Sequence, residues 1–141
     1  MQFCWAFLSI IGFSIRSNLT GYRVFLTGLG GGLAWALYLI ILYYSSSLLF
    51  SVFSATILVC IYSELIARKI GLPVSVVVLC AIIPLVPGSG LYYAMRAYLA
   101  GDMSEASIQI AKTLMIAGTI SIGIAVVSSV TNLVTRVLNR F

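Results

Sequence analysis

The stretch Ile82-Ile83-Pro84-Leu85-Val86-Pro87-Gly88-Ser89-Gly90-Leu91-Tyr92-Tyr93-Ala94-Met95-Arg96 decides how this sequence is read. Its flanks are apolar and favour helix. An interior proline, however, removes a backbone donor and clashes with the preceding turn, at a cost of about 3 kcal/mol. Pro84 and Pro87, with Gly88 and Gly90 beside them, exclude an uninterrupted helix. In lipid the freed carbonyls find no water, so such a break survives only when buried in protein or facing a wet cavity. Residues 74–86 supply only about 20 Å of helix, short of a hydrocarbon core of about 30 Å. Adding residues 87–100 completes a crossing. The segment therefore reads as one span broken at Pro84–Gly90. The competing reading is a tight turn between two short surface helices, with Arg96 snorkelling to headgroups.

Composition makes lipid the solvent. Apolar residues are 62% of the chain and charged residues 8%, against about 25% charged in soluble domains. Mean hydropathy is +1.16. The net charge of +5 does not indicate nucleic acid. The basic residues are dispersed between apolar stretches, with no basic run interleaved with aromatics. Cys4, Cys60 and Cys80 lie singly inside apolar stretches and read as buried thiols. The sequence contains no histidine, the commonest general base and metal ligand. No catalytic residue, metal site or cofactor is expected, and the chain does not read as an enzyme. Before Arg16 there is neither a positive n-region nor a small-residue cleavage site, so the N-terminus reads as a retained first span or its remnant.

Outward from the break, the pattern predicts an all-α transmembrane bundle of about five spans in a single domain, residues 1–141. The first apolar stretch, 3–15, is short for a crossing. The second runs over 24–44 and ends on Tyr43-Tyr44, where interfacial aromatics belong. Ser45-Ser46-Ser47 turns the chain into a third stretch, 48–67, closed by Arg68-Lys69. Gly71 and Pro73 punctuate. The fourth is the broken span, 74–86 with 91–100, and the fifth runs over 106–133. Asp102 followed by Glu105 has the spacing of a helix N-terminus beginning near Met103. Arg16, Arg23, Arg68, Lys69, Arg136 and Arg140 fall on one side of five crossings. The positive-inside rule then places the N-terminus outside and the C-terminus in the cytoplasm.

Candidate site residues cluster at the break. A half-helix starting there presents free amides and the positive end of its dipole, with Pro87 suited to its first turn. Pro87, Gly88, Ser89 and Gly90 are candidates to hold an anionic group such as a carboxylate. Tyr92 and Arg96 follow at helical spacing, and Arg96 could grip a carboxylate in a fork. Glu64 is the one carboxylate inside an expected span and a candidate proton-coupling group. Its spacing to Arg68 is equally that of an ordinary i,i+4 pair. Small residues mark helix-packing faces at Gly28 and Gly32 in the second span and at Ala117, Ser121 and Ala125 in the fifth. These faces could pack within the subunit or against another.

Several of these pieces together resemble the threonine/serine exporter family, and within it the small membrane-only half. They are Arg16-Ser-Asn-Leu-Thr20 with Leu26-Thr-Gly-Leu-Gly-Gly-Gly-Leu-Ala-Trp35, then Ser63-Glu-Leu-Ile-Ala-Arg-Lys69, and above all Pro73 through Ile83-Pro-Leu-Val-Pro-Gly-Ser-Gly-Leu-Tyr92. The Pro84–Gly90 motif is the most specific of them. The resemblance implies a multi-pass protein of the bacterial cell membrane. It implies a secondary exporter of small amino acids, threonine and serine in type, working as a hetero-complex with a larger membrane half. A related two-chain pair is associated with succinate, so a dicarboxylate exporter is one alternative. A scaffold subunit that does not itself transport is another.

Overall fold

In the computed structural model, residues 8–14 and 21–138 are described, with side chains as far as Arg136. The protein is all-α. Residues 8–14 form helix α1, followed by α2 (Tyr22–Ser45), α3 (Leu48–Ile70), α4 (Val74–Ile82), a 3₁₀ turn (Ile83–Leu85), α5 (Gly88–Leu99) and α6 (Met103–Leu138). Among the described residues, α2, α3 and α6 are long and apolar enough to cross a membrane. The pair Val74–Leu85 and Gly88–Leu99 makes a fourth candidate span, bent by 51°. The expected first stretch, 3–15, is described only over 8–14, where it is helical.

Local chemistry sets each boundary. Ser46 adopts the left-handed conformation at φ 52° and donates its amide to the Leu42 carbonyl at 3.1 Å, closing α2. Gly71 does the same for α3 at φ 66°, a conformation that glycine adopts without a Cβ penalty. Arg68 and Lys69 occupy the last turn of α3, where cations offset the helix dipole. Gly101, at φ 81°, turns the chain between α5 and α6. Asp102 then caps α6: its Oδ1 accepts the Glu105 amide at 2.9 Å. The reciprocal half of the expected capping box does not form. The Glu105 carboxylate instead accepts from Gln109 Nε2 at 2.6 Å, one turn along.

The helices pack by close backbone approach, as expected where lipid gives no hydrophobic reward for association. α2 and α3 run antiparallel, tied by Tyr62 Oη donating to the Leu26 carbonyl at 2.7 Å. α4 packs on α2 and α3, and α6 packs on α3 and α5. Gly31 allows α4 to approach: a Cβ there would stand 2.6 Å from the Ala81 carbonyl oxygen and would meet Ile10 of α1. A Cβ at Gly30 would enter the Tyr62 ring. Gly28 and Gly32 are buried beside them. α6 lies along α3 in the same direction, since Gly123 faces Thr56 and Thr135 meets Arg68.

The sequence left open which way the small residues of α6 face. Ala117, Ser121 and Ala125 are exposed. α6 turns Thr113, Ile116, Ile120 and Gly123 toward the subunit instead. Cys60 and Cys80 are buried free thiols. Cys4 lies outside the described residues.

Candidate functional site

The break is built in two steps. Pro84 falls in the first turn of the 3₁₀ segment, where its missing donor costs nothing. The Val86 amide bonds the Ile83 carbonyl at 3.1 Å and the Gly88 amide bonds the Val86 carbonyl at 2.8 Å. Pro87, at φ −78° and ψ 56°, is thereby held in an inverse γ-turn. α5 starts immediately after it, with no side chain capping its first amides. The dipole end expected from the sequence is present, beginning at Gly88.

α5 then leaves the bundle and lies along α6. Ala94 and Ala97 are its buried contacts, and Gly90 approaches so closely that any Cβ there would collide with the Thr113 hydroxyl. This seating opens a cavity of about 310 Å³ between the break, α2, α3 and α6. Pro87, Ser89 and Gly90 line it from the break, Trp35 and Tyr38 from α2, Tyr93 from α5, and Gln109, Lys112 and Thr113 from α6. Lys112 is the one charged residue in that lining, and among the described residues it has no ion-pair partner. The Trp35 indole Nε1 is buried without a hydrogen-bond partner among the described residues. A buried donor left unpaired costs about 1–3 kcal/mol. The arrangement combines a cation, an amide-rich helix start, hydroxyls on Ser89 and Thr113, and aromatic walls. It can take one carboxylate together with a small polar substituent.

The candidates from sequence are divided by this geometry. Pro87, Ser89 and Gly90 share the cavity, and Gly88 lies in the turn behind them without lining it. Tyr92 is 65% exposed and turned away. Arg96 lines an adjoining groove on the α5–α6 hairpin, with Asp102 and Glu105; Tyr93 and Gln109 line both. Gly90, Ala94 and Ala97 seat α5 on α6, so Ser89 and Tyr93, four apart, face the cavity. Tyr92 is rotated about 100° from Tyr93, whereas Arg96, seven residues from Ser89 and on the same face, lies about 10 Å further along the helix. Lys112, Gln109, Thr113, Trp35 and Tyr38 did not stand out in the sequence. The available signal was a lone lysine inside an otherwise apolar helix, a residue type that marks function in membranes.

Glu64 is distant from this cavity. Its Oε1 accepts from Arg68 Nη2 at 3.0 Å, and the same Nη2 donates to Thr135 Oγ1 at 3.1 Å. This network joins α3 to α6 at the end of the bundle opposite the Ser45–Ser47 turn. Arg23, Lys69 and Arg136 belong to the same end, because α2 begins where α3 and α6 finish. Arg16 and Arg140 lie outside the described residues.

The sequence matches the family described as Threonine/Serine exporter, ThrE, over residues 2–130. No curated protein and no solved structure matches it.

Proposed function

We propose that this chain, which belongs to the threonine/serine exporter family, is one subunit of a secondary exporter of small hydroxylated amino acids and acts with a larger membrane half. The observation that carries the reading is the cavity at the break, with Lys112 as its sole charged lining residue. One cation suits one carboxylate, and Ser89 with Thr113 suits a hydroxyl. A dicarboxylate would call for a second cation, and Arg96 is not in the cavity lining but in the adjoining groove beside the carboxylates of Asp102 and Glu105. The basic end formed by Arg23, Arg68, Lys69 and Arg136 supports a cytoplasmic placement of that end under the positive-inside rule. The break and Lys112 then face the outer side, where exported solute is released.

The test is efflux of radiolabelled threonine, serine and succinate from vesicles of cells carrying the complete exporter, with and without this chain. Loss of threonine and serine efflux on its removal supports the reading. Undiminished efflux, or loss confined to succinate, overturns it. Scaffold and transporting roles are separated by Ser89→Trp, which fills the cavity. A transporting subunit loses efflux with the complex intact, and a scaffold keeps it.

Proton coupling through Glu64 belongs to the same reading. Glu64→Gln is expected to flatten the dependence of efflux on an imposed pH gradient while leaving the complex assembled. A gradient response equal to that of the unmodified exporter would remove Glu64 from proton coupling.

A further inference from the structure

One face of α6 reads polar, apolar, polar along its length. Gln109, Lys112 and Thr113 line the cavity at the break. Ile116, Ile120 and Ile124 follow at intervals of four and belong to one apolar cluster with Val52, Val59 and Leu85. Ser128, Thr131 and Asn132 come next on the same face. They line a second cavity of about 420 Å³ together with Glu64 of α3 and Ser75 of α4.

The two cavities share no lining residue, and an apolar cluster stands between them on the same face of α6. α4 and α6 each pack on α3, yet neither packs closely on the other, so α3 floors a cleft between them. Leu85 and Ile116 belong to both the first cavity and the apolar cluster, and Ile124 to both the second cavity and the cluster. From Ile116 to Ile124 the helical rise gives a closed section of about 12 Å. Leu85 and Ile120 are 5% and 8% exposed, so the section is shut. Ser128, Thr131 and Asn132 place three polar side chains together on the last turns of a span, in one cavity with Glu64 and Ser75. A wet vestibule accounts for them.

We infer that the solute crosses along this face of α6, entering at the Glu64–Ser128–Asn132 mouth and leaving at the Lys112 mouth, with Ile116, Ile120 and Ile124 as the gate between. The inference rests on the exporter reading above and adds an entry site for it. At the entry four neutral polar side chains, Ser75, Ser128, Thr131 and Asn132, stand with the Glu64 carboxylate, which the ammonium group of a zwitterion would share with Arg68. At the exit a lone cation suits its carboxylate. The solute thus meets its complementary charge at each end and a desolvating apolar section midway.

The test compares Ser128→Trp with Val130→Trp in vesicles carrying the complete exporter. Both positions are exposed, so neither substitution overpacks the subunit, and the second lies about 200° around the helix. With co-purification of the complex confirmed for both, Ser128→Trp is expected to lower threonine efflux at least tenfold, and Val130→Trp to leave it within twofold. Ser128→Cys, with Cys4, Cys60 and Cys80 replaced by serine, adds an independent reading. A membrane-impermeant thiol reagent should label it from the basic face alone, block efflux, and be slowed by threonine. Normal efflux by Ser128→Trp, or by the labelled Ser128→Cys protein, overturns this path while the exporter reading stands. Failure of the unmodified exporter to move any amino acid overturns the exporter reading instead.

Discussion

Lys112→Gln is expected to lower threonine and serine efflux by about tenfold to a hundredfold, with the protein still folded and its complex intact. The side chain is exposed toward the cavity and has no ion-pair partner among the described residues. Removing its charge therefore breaks no internal pair and leaves no buried carboxylate orphaned. A hydrogen bond to a charged group contributes about 1.5–3 kcal/mol, and each 1.4 kcal/mol is a factor of ten in affinity. The loss should fall mainly on the solute concentration needed for half-maximal efflux. Lys112→Arg keeps the charge but replaces a compact ammonium with a planar fork, so it should recover part of the activity. Efflux by Lys112→Gln equal to that of the unmodified exporter would remove the carboxylate from this cavity. Equal losses in the glutamine and arginine variants would point to shape rather than charge.

Gly31→Val is expected to prevent the folded chain from accumulating. The obstacle is backbone on both sides: a Cβ at residue 31 would stand 2.6 Å from the carbonyl oxygen of Ala81 on α4. Neither helix can relieve that contact by a rotamer change, so α2 and α4 must separate. Separation exposes Cys80, Ala81 and the contact with Ile10 together. Overpacking a tight core costs about 1–3 kcal/mol and sometimes more, a large part of a typical total stability of about 5–15 kcal/mol. Gly118→Ala is the control, because nothing lies within 4 Å of the added methyl group. Thermal unfolding of the purified chain in detergent should show a lower midpoint for Gly31→Val, or no folded protein at all, and an unchanged or slightly higher one for Gly118→Ala. A Gly31→Val protein as stable as its parent would mean that α4 is seated elsewhere.

The Gly30–Gly31 approach and the Lys112 cavity differ in how far they could be read from sequence. A glycine cluster in an apolar helix announces a close contact, and the sequence placed that contact at Gly28 and Gly32. Those residues are buried, and their neighbours Gly30 and Gly31 stand close to Tyr62 and Ala81. In α6 the repeating small residues Ala117, Ser121 and Ala125 gave an equally clear pattern, and they face outward. Lys112 and Ser89 are far apart in the chain and meet only because Gly90 lets α5 settle against Thr113.

By itself the sequence determined where this chain is helical and where it is not. Pro84 and Pro87 stop a span, Gly71 and Gly101 turn the chain, and Asp102 starts α6. Each of these is a contest between a few neighbouring backbone groups, so it is written locally. The tertiary structure alone decided how each helix is rotated about its axis. It brought Ser89, Trp35 and Lys112 to one cavity, turned Tyr92 out of it, and aligned Glu64 with Ser128 and Asn132 at the far end. In water, rotation is legible because one face of a helix is apolar and the other polar. In lipid both faces are apolar, so the sequence carries no comparable stripe. Rotation is fixed instead by the few places where backbones touch.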